Sequence, residues 1–562
     1  MASPQNSAET ATATAPTPSG RYRALKQLGL VLLCGTWIML GLVGHDPWKT
    51  EDAAAFGVAL GMMQSGDWLQ PTLAGEPFVE RPPLAYAAAA LSGRIFSSVL
   101  PAHDAARLAA GMMLAMTLLF LGATARELYG RSLRWLPVVV FVGSVGLWDR
   151  AHQMSPEMGL LLGIAMALYG FALALRRPAA GGALLGLGVA VAFLSRGFLG
   201  PVWLGLTALA LPLAFAGWRT REYALTIGVA LAVALPLAAS WPLALALRAP
   251  AYLEAWWAAQ SIGDYIGPLA PDASSDPLYV LKNLPWFAWP ALPLVLWTLW
   301  TRGRGFNGGL ATPGVLLPGT LALVIIVNLL VMAEPRAINW MPLLLPLCLL
   351  AAPEVDTLQR GFSGALDWFG ILTFGLLAAL VWGLWYDASM HGISPSIAHL
   401  FRDTEAGYRP PFRWPAFAAS AFLSVVWLAL VRPARRTNRR AMLNWAVGMT
   451  LVWGLYMSIW LPYLDSRRSY RSVAEALALQ LPAQGCIASR NLGDPQRALL
   501  YYFANLVTVR EEKSPGHGCE YLLVQYGRQD GDPIVRLGWE IAWTGSRRGD
   551  DTERLVLFRK AV

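Results

Sequence analysis

The chain has 562 residues, of which 56% are hydrophobic and only 14% are charged, with a formal net charge of +9. Soluble domains are about 45–50% apolar and about 25% charged, so an ordinary soluble enzyme, a coiled coil and a disordered regulator are excluded. The composition instead predicts a polytopic α-helical membrane protein. Its positive charge requires no nucleic-acid partner if the basic residues collect in cytoplasmic turns.

The N-terminal segment, residues 1–20, is rich in Ala, Thr, Ser and Pro and predicts a disordered cytoplasmic tail. It has neither the apolar core nor the small-residue cleavage site of a secretory signal. Arg21, Arg23 and Lys26 precede the first apolar span, residues 27–44. Basic residues in that position place the N-terminus in the cytoplasm.

A polar segment follows the first span. Residues 45–83 are too polar to cross a bilayer, although residues 53–64 are amphipathic and fit a helix at the membrane interface. Residues 84–100 are apolar but contain Arg94 and end at Pro101. We therefore expect an interfacial or partly re-entrant helix there.

The next basic turn sets the direction of the chain. Arg126, Arg131 and Arg134 should be cytoplasmic, so the span at residues 104–125 runs inward from the external side. Further spans are predicted at residues 134–148, 157–175, 180–195, 199–216, 222–243, 283–300, 312–332, 337–352, 364–385, 414–431 and 441–462. The total is thirteen, which places the two termini on opposite faces of the membrane.

The last part of the chain is soluble in character. Residues 466–562 predict a small α/β domain with enough residues for its own core, and the odd number of spans places it outside the cytoplasm. Its predicted helices are residues 470–481 and about 495–504, and its apolar runs are residues 486–488, 506–509, 521–526, 539–543 and 555–558.

The four cysteines agree with an external location for this domain. Cys34 and Cys348 fall within apolar spans, whereas Cys486 and Cys519 are the only cysteines of the soluble domain. An oxidising compartment would allow a disulfide between the latter two. The sequence has no CxxC and no metal-ligand spacing; it leaves open whether a divalent metal assists.

Charged residues beside the membrane collect in two external loops. The first, residues 45–103, contains the adjacent acids Glu51 and Asp52, and also Glu80 and Arg81, which precede two prolines. Helix capping and a salt-bridged loop are the structural explanations for these residues. A functional explanation is that one carboxylate acts as a base while a basic residue binds a phosphate leaving group.

The second external loop, residues 148–157, is short and contains His152 and Glu157. Glu157 follows a proline at the start of a span, so it is also a candidate helix cap. The presence of acidic residues in two loops on one face favours the functional explanation.

The first-loop motifs resemble those of the GT-C glycosyltransferases, in the branch of the bacterial aminoarabinose lipid A transferases and the protein O-mannosyltransferases. The family's acidic pair corresponds to residues 51–55 (EDAAA), its SGDW-like motif to residues 65–68, and its acidic-basic-PPL motif to residues 80–86 (ERPPLAY). Residues 195–197 (SRG) and 338–346 (INWMPLLLP) resemble later motifs. The thirteen spans and the external C-terminal domain also match the family's architecture.

The resemblance implies an inverting sugar transfer from a polyprenyl (undecaprenyl) phosphate donor within the domain formed by residues 21–465. It assigns the base to Glu51 or Asp52, because the family's Asp-Glu order is reversed here, and a supporting role to Glu157. It also implies that Arg81 contacts the donor phosphate and that Glu80 is the acid preceding it. Beyond the resemblance, we expect Lys49 and Arg336 to bind the phosphate and Glu80, Tyr86 and His152 to bind the substrate. Arg336 begins an external loop and is also explained as a helix-end residue whose side chain reaches the membrane surface.

The acceptor and some alternatives stay open at this point. The implied acceptor is lipid A or another envelope glycolipid, and a protein hydroxyl is the alternative. A lipid-linked sugar transporter or flippase would carry charges within its spans, and a non-catalytic GT-C scaffold would have lost activity through altered motifs. Asp494 and Arg497, at a loop-to-helix turn of the C-terminal domain, are further candidates for facing the site.

Overall fold

The structure is a computed structural model. It describes residues 20–78, 80–260, 277–332, 336–393, 408–432, 437–482, 485–516, 518–531, 538–548, 550 and 552–561. The predicted tail, except for its last residue, lies outside the described residues.

The described residues form an α-helical domain followed by a mixed sheet. The helices are α1 Gly20–Met39, α2 Glu51–Ser65, α3 Leu84–Phe96, α4 Ala102–Tyr129, α5 Leu136–Val142, α6 Pro156–Ala174, α7 Pro178–Arg196, α8 Leu199–Ala214, α9 Arg221–Arg248, α10 Pro250–Ala259, α11 Pro277–Phe287, α12 Ala291–Gly303, α13 Pro313–Val331, α14 Met341–Ala351, α15 Arg360–His391, α16 Trp414–Val431, α17 Asn438–Tyr456, α18 Leu461–Arg468, α19 Arg471–Ala478 and α20 Asp494–Ala504. The strands are β1 Thr72–Leu73, β2 Glu76–Pro77, β3 Ile487–Arg490, β4 Val509–Arg510, β5 Tyr521–Gly527, β6 Trp539–Gly545 and β7 Glu553–Lys560.

The helical domain is long and apolar enough to cross a membrane many times. Among the described residues, 7 helices meet the length and hydropathy that a span requires, namely α4, α6, α7, α9, α13, α15 and α16. The pair α17 and α18 adds an eighth candidate, bent by 65°. Shorter apolar helices, among them α3 and α8, accompany these. The predicted polytopic fold is confirmed, whereas the total of thirteen spans stays a prediction.

Two predicted spans are interrupted in the structure. Residues 283–300 are divided between α11 and α12, because Pro290 has no N–H to continue the first helix. Residues 134–148 contain only the short helix α5, which ends at Gly143 and is followed by a 3₁₀ turn. Proline and glycine within apolar runs therefore shorten the helices that hydropathy alone predicts.

Helices α6 and α7 pack so closely that their backbones are in contact at paired glycines. A Cβ on Gly163 would lie 2.6 Å from the carbonyl oxygen of Gly188, so neither position tolerates a side chain without displacement of a helix. Small residues at such crossings allow close helix packing within a membrane. Because the two helices are antiparallel neighbours, the start of α6 and the end of α7 lie at the same face of the domain.

Helix α2 differs from the predicted interfacial helix. Most of its residues from Asp52 to Met62 are buried within the protein rather than exposed on one side. A Cβ on Gly57 would lie 2.4 Å from the Cβ of Ala498, which belongs to α20 of the C-terminal domain. Amphipathicity alone could not reveal this partner, which lies more than 400 residues away in sequence.

The C-terminal domain contains one five-stranded sheet of order β4-β3-β5-β7-β6. β3 is parallel to β4 and β5, whereas β7 is antiparallel to β5 and β6. Four of the five apolar runs identified in the sequence correspond to β3, β5, β6 and β7, whereas the run at residues 506–509 overlaps β4 only at Val509. Helices α19 and α20 cover one face of the sheet, and their apolar residues Val473, Leu477 and Leu499 share a core with Leu523 and Leu557. The expected α/β character is therefore confirmed.

Cys486 and Cys519 are joined by a disulfide at a Cα–Cα distance of 4.9 Å. We expect replacement of both by Ser to destabilise the domain by about 3–4 kcal/mol, because the bond closes a loop of 33 residues. The measurement is the rate of proteolysis within the C-terminal domain of the full-length protein. Cys34→Ala serves as the control, since Cys34 is a free cysteine in α1. Free thiols at both positions in a non-reducing peptide map would contradict this prediction.

Candidate active site

The two acidic loops meet at Arg81. The Nη1 atom of Arg81 donates to Oε1 of Glu157 at 3.2 Å, and it lies 3.7 Å from Oε2 of Glu51. Arg81 and Glu51 are each 17% exposed, whereas Glu157 is buried. The loop that precedes α3 and the start of α6 thus contribute to one site.

Two further arginines complete this group, here called the Arg81 cluster: Glu51, Arg81, Glu157, Arg196 and Arg336. The Nε atom of Arg196 donates to Oε1 of Glu157 at 2.9 Å, and Nη1 of Arg336 lies 3.6 Å from Oε1 of Glu51. Three guanidiniums and two carboxylates leave a net charge of +1 when all are ionised. The cluster therefore has the charge to accept an anion.

Helix ends position the members of the cluster. Glu51 and Glu157 lie in the first turns of α2 and α6, where the helix dipole stabilises carboxylates. Arg196 is the last residue of α7, which packs antiparallel to α6. Pro82 and Pro83 follow Arg81 and restrict its backbone, so the guanidinium is held at the entry to α3.

Two buried polar atoms beside the cluster have no hydrogen-bond partner within the described part of the chain. They are Oε2 of Glu157 and Oγ of Ser195, and both residues are buried. Buried polar groups are normally satisfied, and an exception in a native protein needs an explanation. Oγ of Ser195 is packed against α6, because a Cβ on Gly159 would lie 2.1 Å from it, so only Oε2 of Glu157 remains as a candidate acceptor for a ligand.

Burial raises the pKa of Glu51, and the negative charge of Glu157 adds to this effect. The guanidiniums of Arg81, Arg336 and Arg196 act in the opposite direction but do not cancel it. A raised pKa makes Glu51 a stronger base when it is ionised, which suits a group that receives a proton or faces developing positive charge.

The neighbouring acid, Asp52, has different surroundings. Its carboxylate is 2% exposed and accepts hydrogen bonds from Nη2 of Arg107 at 2.9 Å and from the amide of Met154 at 2.9 Å. Nη1 of Arg107 also binds Asp104 at 2.8 Å. Burial alone would raise the pKa of Asp52, but the Arg107 guanidinium holds it below its ordinary value.

This buried ion network determines which of the two adjacent acids faces the Arg81 cluster. Successive residues on a helix point about 100° apart, so Glu51 and Asp52 cannot share a direction. Asp52 joins α2 to α4 through Arg107 and to the second loop through Met154. It therefore anchors the turn from which Glu51 projects.

Lys49 contacts the C-terminal domain. Its Nζ lies 2.5 Å from Oε2 of Glu553, which also accepts hydrogen bonds from Gln496 and Gln525. This contact fixes the segment before α2 against the sheet. The ammonium is thus bound to a carboxylate, and its predicted role at the donor phosphate has no support from its observed partner.

Of the remaining candidates, Glu80 and Tyr86 neighbour Arg81 along the chain, whereas His152 packs against Trp37 of α1 and Trp453 of α17. Tyr86 is buried in α3, where its ring packs edge-on against Phe78. Glu80 is partly exposed, and partial burial and the nearby Asp494 raise its pKa. His152 is buried; its Nε2 is 2.8 Å from the carbonyl oxygen of Trp37, and burial lowers its pKa to about 4.

Sequence reasoning missed the roles of two arginines. Arg196 was noted only within the 195–197 motif, yet it binds Glu157 directly. Arg107 falls within the predicted span at residues 104–125, although the charged residues Asp104 and Arg107, three positions apart at the start of that span, are a signal of a buried ion pair.

Arg497, a candidate from the C-terminal domain, is buried and pairs with Glu76 of the first loop, 3.0 Å away.

An apolar groove adjoins the site on the side of α7. It has a volume of about 870 Å³ and is lined by residues of α7, α8, α9 and α10, including Phe193, Phe198 and Trp256. Phe193 lies one helical turn before Arg196. The groove therefore lies beside the end of α7 that carries Arg196, and its one charged lining residue among those described is Glu254.

No family model matches the chain. Two similar proteins are undecaprenyl phosphate-alpha-4-amino-4-deoxy-L-arabinose arabinosyl transferases. One, from Pseudomonas fluorescens (strain Pf0-1), is 26% identical over 441 residues, which is 73% of this chain and 76% of that protein. The other, from Pseudomonas aeruginosa (strain UCBPP-PA14), is 29% identical over 373 residues, which is 63% of this chain and 64% of that protein.

The fold is also similar to that of a solved structure. ArnT from Cupriavidus metallidurans, crystallised bound to undecaprenyl phosphate, superposes with a TM-score of 0.68 over 96% of this chain and 98% of that one, at 16% identity. The comparisons confirm the resemblance to the aminoarabinose transferases and the GT-C fold. The chain is a multi-pass inner-membrane protein.

Proposed function

We propose that this chain, like the arabinosyl transferases that it resembles, is a glycosyltransferase that moves a sugar from an undecaprenyl phosphate donor to lipid A. The observation that carries the proposal is the Arg81 cluster, in which three guanidiniums surround two carboxylates. An apolar groove lies beside it, since Phe193, one helical turn before Arg196, is among the groove's lining residues. A lipid-linked phosphate sugar has the matching parts, namely an apolar tail, an anionic phosphate and a polar sugar.

Arg81 and Arg196 are the proposed phosphate ligands, with Arg336 as a third contact at the exposed side. Guanidiniums bind phosphate oxygens through paired N–H groups, and such charge-assisted bonds are stronger than neutral ones. Arg81 is only 17% exposed and is already oriented by Glu157, so little side-chain freedom would be lost on binding. The polyprenyl chain would occupy the groove beside Phe193 and Trp256.

In the proposed reaction, an acceptor oxygen attacks the anomeric carbon from the face opposite the donor phosphate. The new carbon–oxygen bond forms as the bond to the phosphate oxygen breaks, so undecaprenyl phosphate leaves and the configuration inverts. Glu51 receives the acceptor proton where there is one to lose. If the acceptor is an ionised lipid A phosphate, Glu51 instead stabilises the positive charge that develops on the sugar.

The proposal includes an orientation in the membrane. The N-terminus is cytoplasmic, and the site and the C-terminal domain, residues 466–562, are periplasmic. The disulfide supports this placement, because such bonds persist in oxidising compartments. The contacts of Lys49 with Glu553 and of Arg497 with Glu76 give the domain a role in fixing the first loop over the site.

The direct test is a transfer assay with the purified protein, undecaprenyl phosphate-aminoarabinose and lipid A. We expect transfer by wild type and a decrease of about a hundredfold or more in Arg81→Ala, since a phosphate ligand is lost. Arg176→Ala is the matched control, because that arginine pairs with Glu127 at the opposite ends of α4 and α6. Transfer to a protein acceptor but not to lipid A would overturn the acceptor assignment.

The raised pKa of Glu51 predicts a pH dependence. Since the ionised carboxylate is the active form, kcat/KM is expected to decrease as the pH falls through that pKa, which lies above the ordinary glutamate range. The measurement is the kcat/KM profile from pH 4.5 to 8. An acid limb that stays unchanged in Glu51→Asp would assign the titration to another group.

A further inference from the structure

A second and larger cavity lies between α1, the α4–α5 turn, α16 and α17. Its volume is about 1720 Å³, and most of its wall is apolar, with Leu33, Val139 and Leu423 among the lining residues. Leu32 and Phe422, on the helices that border it, have exposed side chains. This cavity, here called the basic-end cleft, is separate from the Arg81 cluster and from the groove beside α7.

Its position along α4 places it at the other membrane surface. Arg107, near the start of α4, binds Asp52, which is adjacent to Glu51 of the Arg81 cluster. Arg126, near the end of the same helix, lines the basic-end cleft. Arg107 and Arg126 are 19 positions apart on α4, which corresponds to about 29 Å of helix. This length matches the thickness of a bilayer's hydrocarbon core, about 30 Å.

Cationic side chains collect at one end of the cleft. Its basic lining residues are Lys26, Arg126, Arg131, Arg134, Arg439 and Arg440. Among the described residues, no Asp or Glu lines it.

Much of this charge is not neutralised by the protein. Arg439 pairs with Asp356, whereas Arg126, Arg131 and Arg134 have no carboxylate within salt-bridge distance in the described part of the chain. Arg440 donates to two backbone carbonyls.

The cleft has the depth of one membrane leaflet. On α17 its wall runs from Arg439 to Leu451, which corresponds to about 18 Å of helix. Half of a bilayer's hydrocarbon core is about 15 Å thick. Cations at the membrane surface above an apolar cleft of this depth match the anionic headgroup and acyl chains of a phospholipid.

We propose that the basic-end cleft is a binding site for an anionic diacyl phospholipid of the leaflet opposite the Arg81 cluster. The acyl chains lie along α16 and α17, and the headgroup phosphate lies among Arg126, Arg131 and Arg134. Basic pockets between membrane helices bind anionic lipid headgroups in this manner. A free phosphate would leave the apolar wall uncovered, and a zwitterionic lipid would leave the net positive charge uncompensated.

The test is native mass spectrometry of the full chain in detergent with dioleoyl phosphatidylglycerol or dioleoyl phosphatidylcholine added. We expect wild type to retain the phosphatidylglycerol at least about tenfold more tightly. The triple variant Arg126→Gln, Arg131→Gln, Arg134→Gln should lose this preference. The matched control removes three arginines from other turns, Arg177, Arg221 and Arg360, and should keep it.

A second variant separates the cleft from general surface charge. Val426→Trp fills the apolar wall without changing any charge and should weaken retention of phosphatidylglycerol by about tenfold. This variant also keeps the proposal testable if the triple variant does not fold. The proposal would be overturned if Val426→Trp retained phosphatidylglycerol as tightly as wild type. It would also be overturned if the arginine control lost the preference for phosphatidylglycerol as fully as the triple variant, or if soluble glycerol phosphate alone displaced the lipid.

Discussion

Replacement of Glu51 by Gln is expected to lower kcat for sugar transfer by about a thousandfold, within the range that general bases and charge-stabilising carboxylates contribute. The substitution keeps the size of the side chain but removes the charge that faces Arg81 and Arg336. Because those arginines still bind the donor phosphate, KM for the donor should change little. The measurement is steady-state transfer from undecaprenyl phosphate-aminoarabinose to lipid A.

The matched control for this prediction is Glu222→Gln. Glu222 is also in the first turn of a helix, α9, and its side chain is exposed. Transfer by that variant should equal that of wild type. If Glu51→Gln retained more than about a tenth of the wild-type kcat, Glu51 would be neither base nor charge stabiliser, because either role contributes at least about a hundredfold.

The second large effect concerns stability. We expect Arg107→Met to destabilise the protein by about 3–5 kcal/mol, because it leaves Asp52 and Asp104 buried beside each other without their common cation. Asp52→Asn should lower the free energy of unfolding by less than Arg107→Met does, since Arg107 keeps Asp104 as a partner. The measurement is the apparent Tm in detergent, together with the folded fraction after size-exclusion chromatography.

Two further variants test this explanation. Arg107→Lys should recover part of the lost Tm, because an ammonium restores the charge but not the paired hydrogen bonds to Asp52 and Asp104. Arg94→Met is the matched control: Arg94 is exposed on α3 and donates to one backbone carbonyl. An apparent Tm of Arg107→Met equal to that of Arg94→Met would show that the buried network does not hold α2 to α4.

The first external loop illustrates how much of the site could be predicted. Glu51, Glu80 and Arg81 stand out because charges are scarce in a chain with 14% charged residues. Their spacing also carries the family resemblance. The same signal selected Glu157, and the structure brings it to Arg81 across 76 residues of sequence. Local composition is sufficient here because polar residues beside a membrane need a specific reason to be present.

The adjacent acids Glu51 and Asp52 show what the local sequence could not predict. Spacing alone could not decide between Glu51 and Asp52, because the answer depends on the rotation of α2 against α4. That rotation is set by Arg107, which lies 55 residues from Asp52. Arg196 was likewise not distinguished from other helix-terminal arginines, because its partner Glu157 belongs to another helix.

The sequence by itself determined the membrane class, the C-terminal α/β domain and the loops that carry the candidate site, because hydropathy, periodicity and charge scarcity are local properties of the chain. Only the tertiary structure decided that Glu51 rather than Asp52 faces the Arg81 cluster, that Lys49 contacts Glu553, and that α20 packs on α2. These features depend on helix rotation and on contacts between residues up to about 500 positions apart, which no local spacing encodes.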